Sequence, residues 1–159
     1  MPKPDADGRH DFDFLFGTWR VHNRRLLRRL AGSTEWEEFE TALRTRPVLG
    51  GLGNVDTFSA PPWEGFTLRL FDPDAELWRI WWAATSHPGH LDPPLAGRFS
   101  DGHGTFFGDD VHDDRPVRVR FDWTDITPTS ARWEQAFSPD AGVTWETNWV
   151  MTLSRLDDE

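Results

Sequence analysis

The sequence has no cysteine, no tyrosine and only two methionines. Without cysteine there is no disulfide, no thiolate metal site and no cysteine nucleophile, and the lack says little about compartment. Basic residues are outnumbered, 17 Lys plus Arg against 27 Asp plus Glu, for a formal charge of −10. A surface of that sign repels a phosphate backbone, so no nucleic-acid partner is expected. The apolar runs are a handful of residues long, too short to span a bilayer, and no membrane partner is expected. Met1-Pro2-Lys3-Pro4-Asp5 lacks the apolar stretch of a signal peptide, so the expectation is a cytoplasmic, bacterial-style protein. What the chain does have is aromatic rings, ten Trp and twelve Phe in 159 residues. That length is one domain, able to bury a core without covalent staples.

Apolar and aromatic residues fall in ten short segments, 17–30, 34–46, 52–59, 65–72, 76–85, 95–100, 103–108, 116–126, 130–138 and 144–155. Turn chemistry separates them, as in Gly50-Gly51, Pro61-Pro62, Asp72-Pro73-Asp74 and Asp101-Gly102. Regular short strands with no long helical pattern argue an all-β antiparallel sandwich or barrel. The expected layout is a mobile tail over 1–9, the barrel over 10–156 and an acidic tail over 157–159. Phe12, Phe14 and Phe16 open the ordered part, as a strand or as a short helical turn plugging one barrel end.

Alternation is clearest late in the chain. Val117, Val119, Phe121 and Trp123 oppose Arg118, Arg120 and Asp122, and Ala131, Trp133, Gln135 and Phe137 oppose Arg132, Glu134 and Ala136. Trp145, Thr147, Trp149, Met151, Leu153 and Arg155 oppose Glu146, Asn148, Val150 and Thr152. Successive strand side chains point to opposite faces, which puts each apolar row inside. From Arg24 to Leu43 a helical spacing fits as well as a strand one, and two helices are an alternative there. Leu77 to Ala83 is apolar on both faces, so it needs cover from the core and from another element or subunit; a homodimer is compatible.

Phe14-Leu15-Phe16-Gly17-Thr18-Trp19 resembles the opening of the calycin barrels, the lipocalin and fatty-acid-binding-protein superfamily. The resemblance implies that Trp19 plugs the barrel floor and that Arg155, near the end of the last strand, lies over it. From His10 to Arg155 the chain also looks like an uncharacterised bacterial calycin-like domain-of-unknown-function family. The residues carrying that likeness are Asp11 to Leu15, Gly50 to Val55, Ala131 to Ser138 and Trp145 to Trp149. It implies a single antiparallel barrel of about ten strands with a short N-terminal plug. Calycins at large bind small apolar molecules, and a few catalyse isomerisation or cyclisation.

Other motifs read as structure. Ser138-Pro139-Asp140-Ala141-Gly142-Val143-Thr144-Trp145 matches the Asp-box pattern, whose physical content is a hairpin with Asp140 folded back on turn amides and Trp145 packed under the turn. His87-Pro88-Gly89-His90 sets two imidazoles three residues apart on a loop, but no paired-ligand motif accompanies them and no metal site is expected. Haem barrels exist among calycins with an axial His late in the chain; the last His here is His112, which counts against a haem cofactor. The Asp109, Asp110, Asp113 and Asp114 cluster lacks the spacing of a calcium loop. Neither a nucleophile elbow nor a phosphate-cradling glycine loop is present.

The remaining signal is polar residues stranded among aromatics. Gln135 and Thr147 fall on inward rows, Asn23 continues the row begun by Trp19, and Arg69 and Arg79 stand between apolar neighbours. Buried polar groups need partners, from the protein, from water or from a ligand. The expected function is binding of a small apolar or aromatic organic molecule inside a Trp-lined barrel. Trp82, Trp123, Trp133 and Trp149 would supply stacking area, while Asn23, Arg69 and Gln135 fix orientation. The alternative is a cofactor-free isomerase or cyclase in the same cavity, with Glu134, Asp56 or His22 moving the proton. A haem-binding barrel is the third reading.

Overall fold

The computed structural model describes residues 7–156. The expected acidic tail at 157–159 lies outside the described residues, as do residues 1–6 of the expected N-terminal tail. Ten strands follow a 3-10 turn at Asp13–Leu15, and a second such turn, Leu49–Gly51, joins the second strand to the third. They are β1 (Gly17–Leu26), β2 (Trp36–Val48), β3 (Gly53–Ala60), β4 (Trp63–Asp72), β5 (Leu77–Ala84), β6 (Leu95–Ser100), β7 (His103–His112), β8 (Arg115–Thr124), β9 (Ser130–Ser138) and β10 (Glu146–Arg155). Each pairs antiparallel with the next, and β10 closes on β1, so the sheet is a barrel with no free edge. The turn spacing predicts an all-β antiparallel sandwich or barrel, and the closed ten-strand barrel is the form that the calycin resemblance implies.

The stretch that also fitted helices holds none: it is strand to Leu26, turn and loop over residues 27–35, and strand again from Trp36. Along β1, Trp19, Val21 and Asn23 are buried while Arg20, His22 and Arg24 are exposed, a period of two that only a strand supports. Cross-strand ion pairs favour the same register: Arg25 meets Glu37 at 2.7 Å and His22 meets Glu38 at 2.8 Å. Exposed pairs of this kind add only about 0.2–1 kcal/mol each, so the buried row decides the conformation.

One barrel end is closed. Phe12 and Leu15 are fully buried, and Phe12 meets Trp78 and Phe99 edge-on at 5.1 and 4.9 Å between ring centres. The Trp19 indole donates to the Leu15 carbonyl at 2.9 Å, and the Arg155 guanidinium lies 4.1 Å over the Trp19 ring. Arg155 also donates to the Phe14 and Phe16 carbonyls at 2.5 and 2.6 Å, tying the plug to the floor. Gly17 is required here. Its φ is +113°, and a Cβ would stand 2.7 Å from Arg155 Nη1.

A β-bulge in β10 corrects the inward row read from alternation. Thr147 pairs with Ala136 and Trp149 with Gln135, leaving Asn148 as the extra residue. Ahead of the bulge the parity flips. Trp145 lies outside, beneath the Arg120 guanidinium at 4.6 Å, Thr147 pairs on the outer face, and Glu146 pairs with inward Phe137. The Asp-box hairpin before it forms as its sequence implies, with Asp140 accepting from the Thr144 amide at 2.8 Å and from its hydroxyl at 2.6 Å.

Candidate functional site

Above the plug the barrel interior opens into a cavity of about 300 Å³, at the lower end of the usual range for small-molecule sites, about 300–1,000 Å³. Its walls are aromatic. Trp149 stands edge-on to both Trp82 and Trp133, with ring centres 6.1 and 5.7 Å away. Phe121 adds an edge-on contact to Trp133 at 5.0 Å, and Phe58 one to Trp82 at 5.6 Å. Gly65 on β4 makes room for Trp82, because a Cβ there would overlap the indole.

The deep end is polar. Arg69, only 4 % exposed, lines the cavity and lies 5.0 Å over the Phe12 ring. Its Nη1 sits 2.7 Å from the Asp56 carboxylate and donates to Asn54 Oδ1 at 2.9 Å. Desolvation pushes the Asp56 carboxyl above the ordinary range, and the Arg69 charge only partly offsets it. The Arg69 Nε–H has no hydrogen-bond acceptor among the described residues. A buried donor in that state costs about 1–3 kcal/mol until something accepts from it.

The mouth is ringed by charge. Arg29, from the β1–β2 loop, packs its guanidinium 5.2 Å over Phe137 and lines the cavity. Burial, helped by nearby Arg25, pulls its pKa down to about 10. The same cavity is lined by His87, His90 and Asp92 of the β5–β6 loop and by Asp109, Asp110 and His112 of β7. Burial and the Asp110 carboxylate raise the Asp92 carboxyl. The β5–β6 loop exists because the two strands pair only from Trp78 to Ile80. Beyond that the loop bridges the gap, held by the Asp92 amide donating to the Trp82 carbonyl at 2.8 Å.

Six of the seven residues expected at a binding site line this cavity: Arg69, Trp82, Trp123, Trp133, Gln135 and Trp149. Asn23 does not. It is fully buried behind Trp149, whose indole donates to its Oδ1 at 3.0 Å. Gln135 reaches across the bulge and donates to Asn148 Oδ1 at 2.8 Å. Of the expected proton carriers, His22 and Glu134 face outward, paired with Glu38 and Arg132. Asp56 is inside but paired to Arg69. Arg79, a further candidate, is also outside, 2.9 Å from Asp72. Arg29, Thr67 and Phe58 were missed. Arg29 could have been suspected from the doubled Arg24-Arg25 and Arg28-Arg29 around two leucines; Thr67 and Phe58 carry no signal without strand register.

No family model matches the chain, and no curated protein matches it. Among solved structures, the S-type phycobiliprotein lyase CPES from Guillardia theta superposes over 100 % of both chains, with a TM-score of 0.60 at 13 % identity. At that identity the likeness is one of fold. The fold and the cavity together define a closed, ten-stranded, calycin-like barrel with an aromatic interior. No helix among the described residues is long and apolar enough to cross a membrane.

Proposed function

We propose that this barrel is a binding protein for a small, flat, mainly apolar organic molecule held between Trp82, Trp133 and Trp149. The observation that carries the reading is the cavity itself, aromatic on its walls and ending on a buried arginine with an unused N–H. The Trp149 indole stands perpendicular to those of Trp82 and Trp133, so the walls offer both faces and edges to a planar ligand, and aromatic contacts of this sort add about 0.5–1.5 kcal/mol beyond burial. The ligand places an acceptor, a carbonyl or ether oxygen, at the deep end against Arg69. The resemblance in fold to a phycobiliprotein lyase is compatible with a pigment-type molecule as one member of this class. Binding is favoured over turnover because His22 and Glu134 face away from the cavity and Asp56 is engaged by Arg69.

The test combines native mass spectrometry of gently purified protein with titration of anilinonaphthalene sulfonate, read through quenching of tryptophan emission. A retained small organic adduct, and probe affinity that collapses in Trp133→Ala and Trp149→Ala variants of unchanged circular dichroism, supports the reading. Probe affinity unchanged in both folded variants overturns it.

A further inference from the structure

The β5–β6 loop carries a second chemistry that the aromatic cavity does not use. His87, His90 and Asp92 each present a ligand atom there, and the three atoms lie within 4.8 Å of one another. The two imidazoles stack with centres 4.0 Å apart and planes 18° from parallel, and His90 Nε2 stands 3.3 Å from Asp92 Oδ1. The other described histidines with acid partners, His10, His22, His103 and His112, each meet one carboxylate and no second imidazole. Two histidines and a carboxylate on one loop are thus particular to the barrel mouth.

We propose that His87, His90 and Asp92 bind a divalent transition metal of the zinc type. Imidazole nitrogen and carboxylate oxygen are a suitable donor set for zinc, nickel or cobalt. Tetrahedral coordination with bonds near 2.1 Å separates donor atoms by about 3.4 Å, so closing the set needs side-chain rotation of roughly an ångström. The histidines are exposed on a loop that spans residues 85–94, so that rotation meets no packed core. Asp109 and Asp110 line the same rim, and the negative field of the mouth attracts a dication.

Three protein ligands leave a coordination position open, as catalytic rather than structural zinc sites do. The Asp92 amide is hydrogen-bonded to the Trp82 carbonyl, so the site is anchored to the strand whose indole forms the cavity wall. An ion there fastens the loop across the gap between β5 and β6. This site stands independently of the cavity's ligand.

The test is calorimetric titration of the full, tag-free chain with zinc chloride, with visible absorption on cobalt chloride as a second readout. The expected result is one equivalent per chain and a ligand-field cobalt spectrum. His87→Ala and His90→Ala should each weaken zinc by more than the roughly 10–100-fold that losing a supporting partner costs. Asp92→Asn should weaken it as well, and His103→Ala should leave it unchanged. Absence of stoichiometric zinc, or binding that survives the His87→Ala/His90→Ala double replacement, overturns the proposal. Neither result bears on probe binding in the aromatic cavity, so the two readings fail separately.

Discussion

The Trp149 indole donates to Asn23 Oδ1 at 3.0 Å, joining the first and last strands from inside the barrel. Asn23 in turn donates to Thr41 Oγ1 at 3.2 Å and to the Phe39 carbonyl at 3.3 Å, so its amide is held from β2. The Arg25 guanidinium covers the Trp149 ring at 5.1 Å. A side chain fixed at its polar edge and on one face keeps its rotamer, and that makes Trp149 a prearranged wall rather than an adaptable one.

Asn23→Leu tests that role. The substitution leaves the Trp149 N–H without its acceptor in a buried site, at a cost of about 1–3 kcal/mol. Urea denaturation should register that loss. The Trp149 contribution to emission should broaden, and probe affinity should fall although Asn23 itself touches no cavity. Unchanged affinity in a folded Asn23→Leu protein would show that Trp149 needs no such support.

Gly65→Ala probes the opposite wall. A methyl group there overlaps the Trp82 indole, which lines the cavity. The ring should swing inward and occlude the site, with probe affinity falling about tenfold or more, ~1.4 kcal/mol. Because an indole can move more cheaply than backbone, stability should change less than binding. Equal binding by Gly65→Ala and the parent would place the ligand away from Trp82.

The buried pair Arg69–Asp56 gives a third expectation. Removing one partner strands the other charge in the interior, so Asp56→Asn should destabilise by about 3–5 kcal/mol. Replacing both, as Asp56→Leu with Arg69→Met, should recover most of that loss, since a well-packed apolar pair is often no worse than a buried ion pair. Denaturation midpoints check the first part. The double variant should then lose the polar contribution to ligand binding, which separates the pair's functional role from its structural one.

The sequence made much of this legible because strand faces and turns are local. Trp19 and Arg155 were expected at the floor because the calycin resemblance implies it and strand parity agrees, and Trp19 pairs with Arg155 directly. Arg69 was expected inside and Asp56 was an alternative proton carrier in the same cavity, but their pairing with each other was not readable; only the β3–β4 register brings carboxylate and guanidinium together. The β10 bulge was invisible for a related reason. One unpaired residue, Asn148, reverses the face of everything before it, and no composition signal marks it. The mouth was least readable, since His87, His90 and Asp92 meet through loop geometry across a gap in strand pairing.

The Asp140 turn carries a pH signature whose sign is fixed. Hydrogen bonds from the Thr144 hydroxyl and amide and from Ser138 Oγ lower its carboxyl from the usual 3.8 to about 2. In the unfolded chain the carboxyl takes up its proton near its ordinary value, so above that pH the bonded carboxylate favours the folded state. The contribution is therefore present above pH 3.8 and is lost as pH falls through about 2. Asp140→Asn keeps the size of the side chain and removes the charge. Its melting temperature should lie below the parent's at neutral pH, and the gap should narrow as the pH is lowered across that window. Melting curves of the two proteins at stepped acid pH measure it, and a gap that stays constant would assign the turn's stability to its backbone conformation, Ala141 and Gly142 both at positive φ, instead of to the carboxylate.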